Sequence, residues 1–353
     1  VRLRPTRRPA LPAVLAATAS AGLVLALAAC GGDVDGAAGA GATAATTPAA
    51  SSDAPVATTY PVTLDNCGFA VTIDAAPQRV VTIKSSTAEM LLALGLGDRI
   101  VGSAYLDGPV PDSLADAARG TAVETPFSDE VPGTEATLAL EPDLVYAGWE
   151  SNVTADGAGD RGTLEQLGVD TYVSPSACKG EGYMPDPLTF DQVFADITEA
   201  GEIFDANQAA AHLVAQQRET LAGVTPDDRG LSALWYSSGG DTPYVGAGIG
   251  APQMIMDAVG LENVAADVHD TWTSMSWEQV VADDPDVIVL VDATWNSAED
   301  KIARLESNPA TAQLTAVREH RYLTVPFPAT EAGVRNVDAV VDLAAQLQEL
   351  DLR

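Results

Sequence analysis

Glu135-Ala-Thr-Leu-Ala-Leu-Glu-Pro142-Asp143-Leu144-Val145 and Glu278-Gln-Val-Val-Ala-Asp-Asp-Pro285-Asp286-Val287-Ile288 are two versions of one pattern, one in each half of the chain. Each opens on an acid, runs through a short amphipathic stretch, reaches a Pro-Asp pair and continues into apolar residues. Proline disfavours the helical conformation in the residue before it, so each helix must stop near Glu141 or Asp284. The apolar runs that follow, 144–147 and 287–291, are nearly continuous, as in parallel strands buried on both faces. A helix-stop-strand unit in each half predicts two α/β lobes of similar plan with a cleft between them.

The same patterning extends outward from both units. Residues 79–83, 100–104, 171–173, 231–236 and 322–325 read as strands with helical stretches between, which is a doubly wound pattern. Residues 60–73 alternate around Asn66-Cys67-Gly68 and read as a hairpin ahead of the first lobe. From 189 to 222 there is no proline. There Phe190, Val193, Phe194, Ile197, Ile203, Phe204, Leu213, Val214 and Leu221 recur near helical spacing. The expected architecture is therefore an α/β lobe at 60–188, one long rigid helix at 189–223 and a second α/β lobe at 224–353. Lobes joined this way should move little against each other.

The N-terminus says where such a cleft would work. Arg2, Arg4, Arg7 and Arg8 precede an apolar run that ends in Leu27-Ala28-Ala29-Cys30-Gly31. A basic region, a short apolar region and small residues before a cysteine look like a bacterial lipoprotein processing site. Residues 1–29 then form the signal peptide, and Cys30 is the lipidation site. Two or more acyl chains would anchor it stably in the membrane. A plain secretory signal with an incidental cysteine is the alternative. Residues 30–59 are Gly, Ala, Ser, Thr, Asp and Pro with few apolar side chains, a composition that makes a tether.

Composition excludes several classes. The formal charge is −32, and loss of the four signal arginines makes the remainder more negative still, which argues against a nucleic-acid partner. His212, His269 and His320 show no metal-ligand spacing, so no protein-built metal site or cofactor is expected. No Gly-x-Ser-x-Gly is present and no nucleophile-base pairing is evident, so the chain does not read as an enzyme. An envelope scaffold, the remaining class, predicts neither cleft nor paired docking acids. With Cys30 set aside, Cys67 and Cys178 form an even pair in an oxidising compartment. Either they are joined by a disulfide or they are two buried thiols. The segment Gly246-Ala-Gly-Ile-Gly-Ala251 superficially has a dinucleotide-loop look, but no acid follows at the right distance in a strand. A cleft-lining loop fits it better.

Leader, tether and two lobes, together with Pro77-Gln-Arg79-Val-Val and Leu92-Ala-Leu-Gly-Leu-Gly-Asp-Arg-Ile-Val-Gly102, resemble the binding proteins that serve metal-chelate ABC importers. Those proteins bind ferric siderophores, haem or cobalamin and deliver them to a permease dimer with ATPase subunits. The resemblance implies that Glu135 and Glu278 dock the permease, one from each lobe. An acid in a helix's first turn is also stabilised by the helix dipole with no partner at all. In the cobalamin-binding member, aromatics at lobe edges line the cleft. Carried across, this implies Tyr105, Trp149, Tyr244 and Trp272, with Trp295 a further candidate, although each alone reads equally as an ordinary core aromatic.

Lys84, at the end of the first core strand, and Arg335, at the start of the last helix, are the cations expected to meet an anionic ligand. Simple solvation is the alternative for both. Asp65-Asn-Cys-Gly-Phe, Trp235-Tyr-Ser-Ser-Gly, Tyr244-Val-Gly-Ala-Gly-Ile-Gly-Ala-Pro-Gln-Met and Asp267-Val-His-Asp-Thr-Trp272 look like a narrower actinobacterial subgroup. That subgroup is proposed to import a phosphorylated deazaflavin, the precursor of coenzyme F-420. An aromatic cleft with two cations suits that ligand and a catecholate siderophore alike.

Overall fold

The helix stops of the two repeats are left-handed turns: Glu141 has φ 48° and Asp284 has φ 41°, each immediately before its proline. In this computed structural model, which describes residues 57–184 and 186–350, the helices are Thr134–Leu138 and Trp277–Asp283. The Pro-Asp aspartates then do the same work in both lobes. Asp143 accepts from Gln78 N at 2.7 Å and from Arg79 N at 3.0 Å, where the neighbouring strand begins. Asp286 accepts from Ser232 N at 2.9 Å and from Ser232 Oγ at 2.8 Å. Each aspartate thereby satisfies backbone donors at the entry of the adjacent parallel strand, which would otherwise be left unpaired.

The strands so aligned make two sheets. A hairpin of β1 (Val62–Asn66) and β2 (Phe69–Ile73) turns through Cys67 and Gly68, both at positive φ. The N-terminal sheet holds β3 (Val80–Ile83), β4 (Ile100–Ala104), β5 (Leu144–Ala147) and β6 (Asp170–Val173) in the order β4-β3-β5-β6, all parallel. The C-terminal sheet is built on β7 (Leu231–Ser238), β11 (Val287–Asp292) and β12 (Tyr322–Pro326), which are parallel. The short strands β8 (Tyr244–Gly246) and β10 (Trp272–Ser274) extend its edge antiparallel, and β9 (Leu261–Asn263) pairs with the start of β7. Strands β3, β5 and β11 are buried almost end to end, as strands covered on both faces should be. Both sheets lie within one compact unit of the chain, and a single cluster of buried side chains runs from Val80 to Val289.

The bridge differs from expectation. In place of one helix over 189–223 there are two, Phe190–Ile203 and Asn207–Ala222. Ile203 and Phe204 are fully buried, and Asp205 turns left-handed at φ 52° while Ala206 N donates to Gly201 O at 2.7 Å. Aspartate tolerates that conformation better than most residues. Gly201 allows the second helix to approach, since a β-carbon there would lie 2.4 Å from that of Ala210. The first helix stays with the N-terminal sheet through Tyr172 Oη, which donates to Glu199 at 2.6 Å. The second joins the C-terminal lobe through Gln217 Nε2, which donates to Val334 O at 2.7 Å.

The expected signal peptide, Cys30 and the tether up to residue 56 lie outside the described residues. The last residues assigned to the tether belong to the fold. Thr58 N donates to Asp205 Oδ1 at 2.7 Å and Thr58 Oγ1 to Glu202 O at 2.9 Å, at the break between the two bridging helices. A disulfide joins Cys67 to Cys178, with Cα atoms 5.2 Å apart, and closes a loop of sequence separation 111. By chain-entropy reasoning such a closure stabilises by about 4–5 kcal/mol.

Candidate functional site

Parallel strands end where ligands bind in open α/β sheets, and a cavity of about 1270 Å³ lies beyond the carboxyl ends of both sheets. Lys84 follows β3, Tyr105 follows β4, Gly148 and Trp149 follow β5, and Ser174 follows β6. From the other lobe, Ser237 and Ser238 close β7, Trp295 lies shortly beyond β11 and Phe327 follows β12. Tyr244 and Trp272 come from the antiparallel edge.

Three aromatic pairs face this space. Tyr105 and Trp149 meet edge to face at 5.9 Å between centroids. Tyr244 and Trp272 stack at 6.0 Å with an interplanar angle of 15°. Trp295 meets Phe327 edge to face at 5.9 Å. Trp295 is 60% exposed and Tyr244 41%, so both present ring surface to solvent rather than to the core. Phe327 was missed in the sequence, although the strand-end rule that singled out Trp295 applies to it equally.

Lys84 is 1% exposed and has φ 85°, a strained backbone for a residue with a β-carbon. Tyr105, at the end of the adjacent strand, is also left-handed at φ 52°. The Lys84 ammonium pairs with Asp107 and lies 3.7 Å from the Trp149 ring centroid and 4.6 Å from that of Tyr105. Its stem packs across Gly148, where a β-carbon would lie 2.7 Å from that of Lys84. Burial raises the Asp107 carboxyl above its ordinary range, and Lys84 pulls it back. Lys84 is therefore neither solvated nor free. Its charge is satisfied inside the protein, in an aromatic cage that it fills itself.

Arg335 does not line the cavity. It forms a fork with Glu89, Nε donating to Oε2 at 2.6 Å, and gives a further bond to Pro109 O at 2.7 Å. The expectation of two cleft cations is corrected: a buried carboxylate on the opposite lobe, far away in sequence, takes Arg335 instead. Lys179, from the loop after the disulfide, lines the cavity mouth and donates to Asp270 at 3.1 Å. Arg161 lines one end and is held by Asn66 O at 2.7 Å and Thr171 Oγ1 at 2.9 Å, over the Phe69 ring. Burial lowers the Arg161 guanidinium, with Glu150 opposing. Neither residue was singled out for the cleft in the sequence.

Trp149 Nε1 donates to Glu331 Oε2 at 2.9 Å across the cleft. Burial raises the Glu331 carboxyl, with Lys84 opposing. With Asp129, Glu150 and Asp160 also in the lining, the cavity presents aromatic faces and acids more than free cations. Glu135 and Glu278 lie elsewhere. Both are exposed in the first turn of their helices and make no ion pair with a described residue.

The profile of the family described as "Periplasmic binding protein" matches residues 80–329. Among curated proteins, the chain is 29% identical over 309 residues to the "Cobalamin-binding protein" of Halobacterium salinarum, covering 82% of this chain and 76% of that one. Among solved structures, it is 30% identical to an "ABC-type Fe3+-hydroxamate transport system" protein from Saccharomonospora viridis, at TM-score 0.69, covering 82% and 99% of the two chains. A "periplasmic binding protein" from Veillonella parvula is 25% identical at TM-score 0.71, covering 82% and 98%.

Proposed function

The chain belongs to the periplasmic binding protein family, and from that premise we propose that it captures a flat, conjugated small molecule in the interlobe cleft for an ABC importer of the iron-complex, haem and cobalamin type. One observation carries this reading: three aromatic pairs from both lobes converge on a single cavity at the strand ends. Stacked and edge-on rings favour a planar π system by about 0.5–1.5 kcal/mol per contact beyond area burial. Glu135 and Glu278 serve as the permease-docking acids, one per lobe, and Cys30 as the site of lipid attachment.

Within that class the phosphorylated deazaflavin is the ligand we put first, on the subgroup segments of the sequence and the aromatic lining. Its phosphate would find Lys84 and Lys179 already paired with Asp107 and Asp270. A corrinoid is the second reading. It is favoured by a cavity larger than the roughly 300–1,000 Å³ usual for drug-sized ligands and by the cobalamin-binding relative. The test is tryptophan-quenching titration with a deazaflavin, its phosphate ester, cobalamin, haem and a ferric hydroxamate, beside native mass spectrometry of protein from its own host. Submicromolar binding of a conjugated ligand is expected. Binding of the ferric hydroxamate alone would overturn the aromatic-ring reading.

A further inference from the structure

Past Trp295 the cleft continues into a second groove of about 800 Å³, and the two spaces share Ser238 and Trp295 in their walls. Asn296, Asp300 and Arg304 line the groove beyond that border. We propose that this groove is an anion subsite, in which Arg304 with Ser238 and Asn296 receives a phosphate carried by a ligand whose ring lies in the main cleft. The proposal rests on the conjugated-ligand reading above and adds a second contact region to it.

The cations nearest the ring are already occupied. Lys84 belongs to Asp107, Lys179 to Asp270 and Arg335 to Glu89, while Arg161 spends its donors on Asn66 and Thr171. Arg304 differs from these lysines and Arg335, since it makes no ion pair with a described residue and its side chain meets the neutral Tyr236 hydroxyl instead. It lies on the exposed face of the helix Ala298–Ser307, and its guanidinium rests over the turn after β7. A β-carbon on Gly240 would come within 2.5 Å of Arg304 Nη1.

The side chains of Ser238 and Asn296 make no hydrogen bond with another described residue and so keep donors for an incoming oxyanion. An arginine fork presents two parallel N–H donors to a phosphate, a geometry that a lysine cannot reproduce. Asp300, one turn earlier on the same helix, faces the groove without pairing to Arg304 and lowers the charge that the site tolerates. The exposed Trp295 ring stands at the border, where a ring in the cleft passes into a polar arm.

The experiment compares a deazaflavin with its phosphate ester by calorimetry on the intact protein, on Arg304→Gln and on Asp300→Asn. In parallel, pyrophosphate is titrated while the Arg304 side-chain N–H signal is followed, assigned by its loss in Arg304→Gln. The ester should bind roughly tenfold or more tightly than the parent. Arg304→Gln should erase that difference and leave the parent unchanged, Asp300→Asn should widen it, and pyrophosphate should shift the Arg304 signal. An ester advantage that survives Arg304→Gln, or that is absent from the intact protein, overturns the subsite. If neither flavin binds, the ring reading fails; the subsite then stands if pyrophosphate moves Arg304 and falls if it does not.

Discussion

Arg335 Nε donates to Glu89 Oε2 at 2.6 Å, and the two side chains are 10% and 2% exposed, so one buried ion pair spans the two lobes. Burial raises the Glu89 carboxyl, and Arg335 opposes the rise. Removing one member leaves an uncompensated buried charge, so Arg335→Met should cost about 3–5 kcal/mol in urea unfolding. The double change Glu89→Gln with Arg335→Met should recover part of that loss. Ring-ligand affinity should stay within error in the double variant, because neither residue lines the cavity. A loss of affinity without a loss of stability would return Arg335 to the site.

Lys84 is paired in the same way, which changes what its removal should do. Lys84→Met leaves Asp107 buried without its partner and should destabilise the fold by several kcal/mol. The deficit should shrink as pH falls, because protonation neutralises a carboxyl that burial already raises. Affinity for a deazaflavin and for its phosphate ester should fall by the same factor. A selective loss for the ester would show that Lys84 leaves Asp107 for the ligand.

Trp272 stacks on Tyr244 from the neighbouring strand. Trp272→Ala removes one ring contact and should weaken a planar ligand about two- to tenfold. Trp272→Phe should restore most of the difference. Fluorescence quenching on saturation should drop in both variants, which separates the lost reporter from the lost affinity.

Glu135→Gln and Glu278→Gln keep side-chain size and remove charge at exposed positions. Each should lower uptake in a reconstituted importer, and together they should abolish it. Calorimetric affinity for the ligand should not change. Equal losses in both assays would contradict a docking role.

Asp196 accepts from Ser176 Oγ at 2.6 Å, and burial pushes its carboxyl up to about 7, with Glu199 also raising it. A raised acid is more favourable neutral in the folded state, so this contribution is complete below the unfolded value of 3.8 and is lost as pH rises through about 7. Stability measured by urea midpoint should therefore decline between those values. Asp196→Asn should flatten that decline.

The strand-end residues were legible in the sequence because buried parallel strands are β-branched and their carboxyl ends carry ligands. That rule reached Lys84, Tyr105, Trp149 and Trp295. The partners of the charges were not legible. Asp107 sits in a loop of Pro, Gly and Asp that reads as a turn, and Glu89 lies inside a short helix whose one acid looks solvated. Nothing local announces that a carboxylate on one lobe will reach an arginine on the other. The break at Asp205 was hidden for a similar reason. No proline or glycine marks the break itself, and only the adjacent Ile203 and Phe204 disturb the helical spacing. The edge strands β8 and β10 are too short for alternation to register.

Thr58 has a mechanical consequence. Its backbone and hydroxyl are tied to Glu202 and Asp205, at the joint where one bridging helix hands over to the other. A pull arriving along the preceding chain enters at this fulcrum and loads neither arm alone. Asn207 Nδ2, at the start of the second helix, donates to Thr58 Oγ1 at 2.9 Å, so one threonine pins the end of one arm to the beginning of the other.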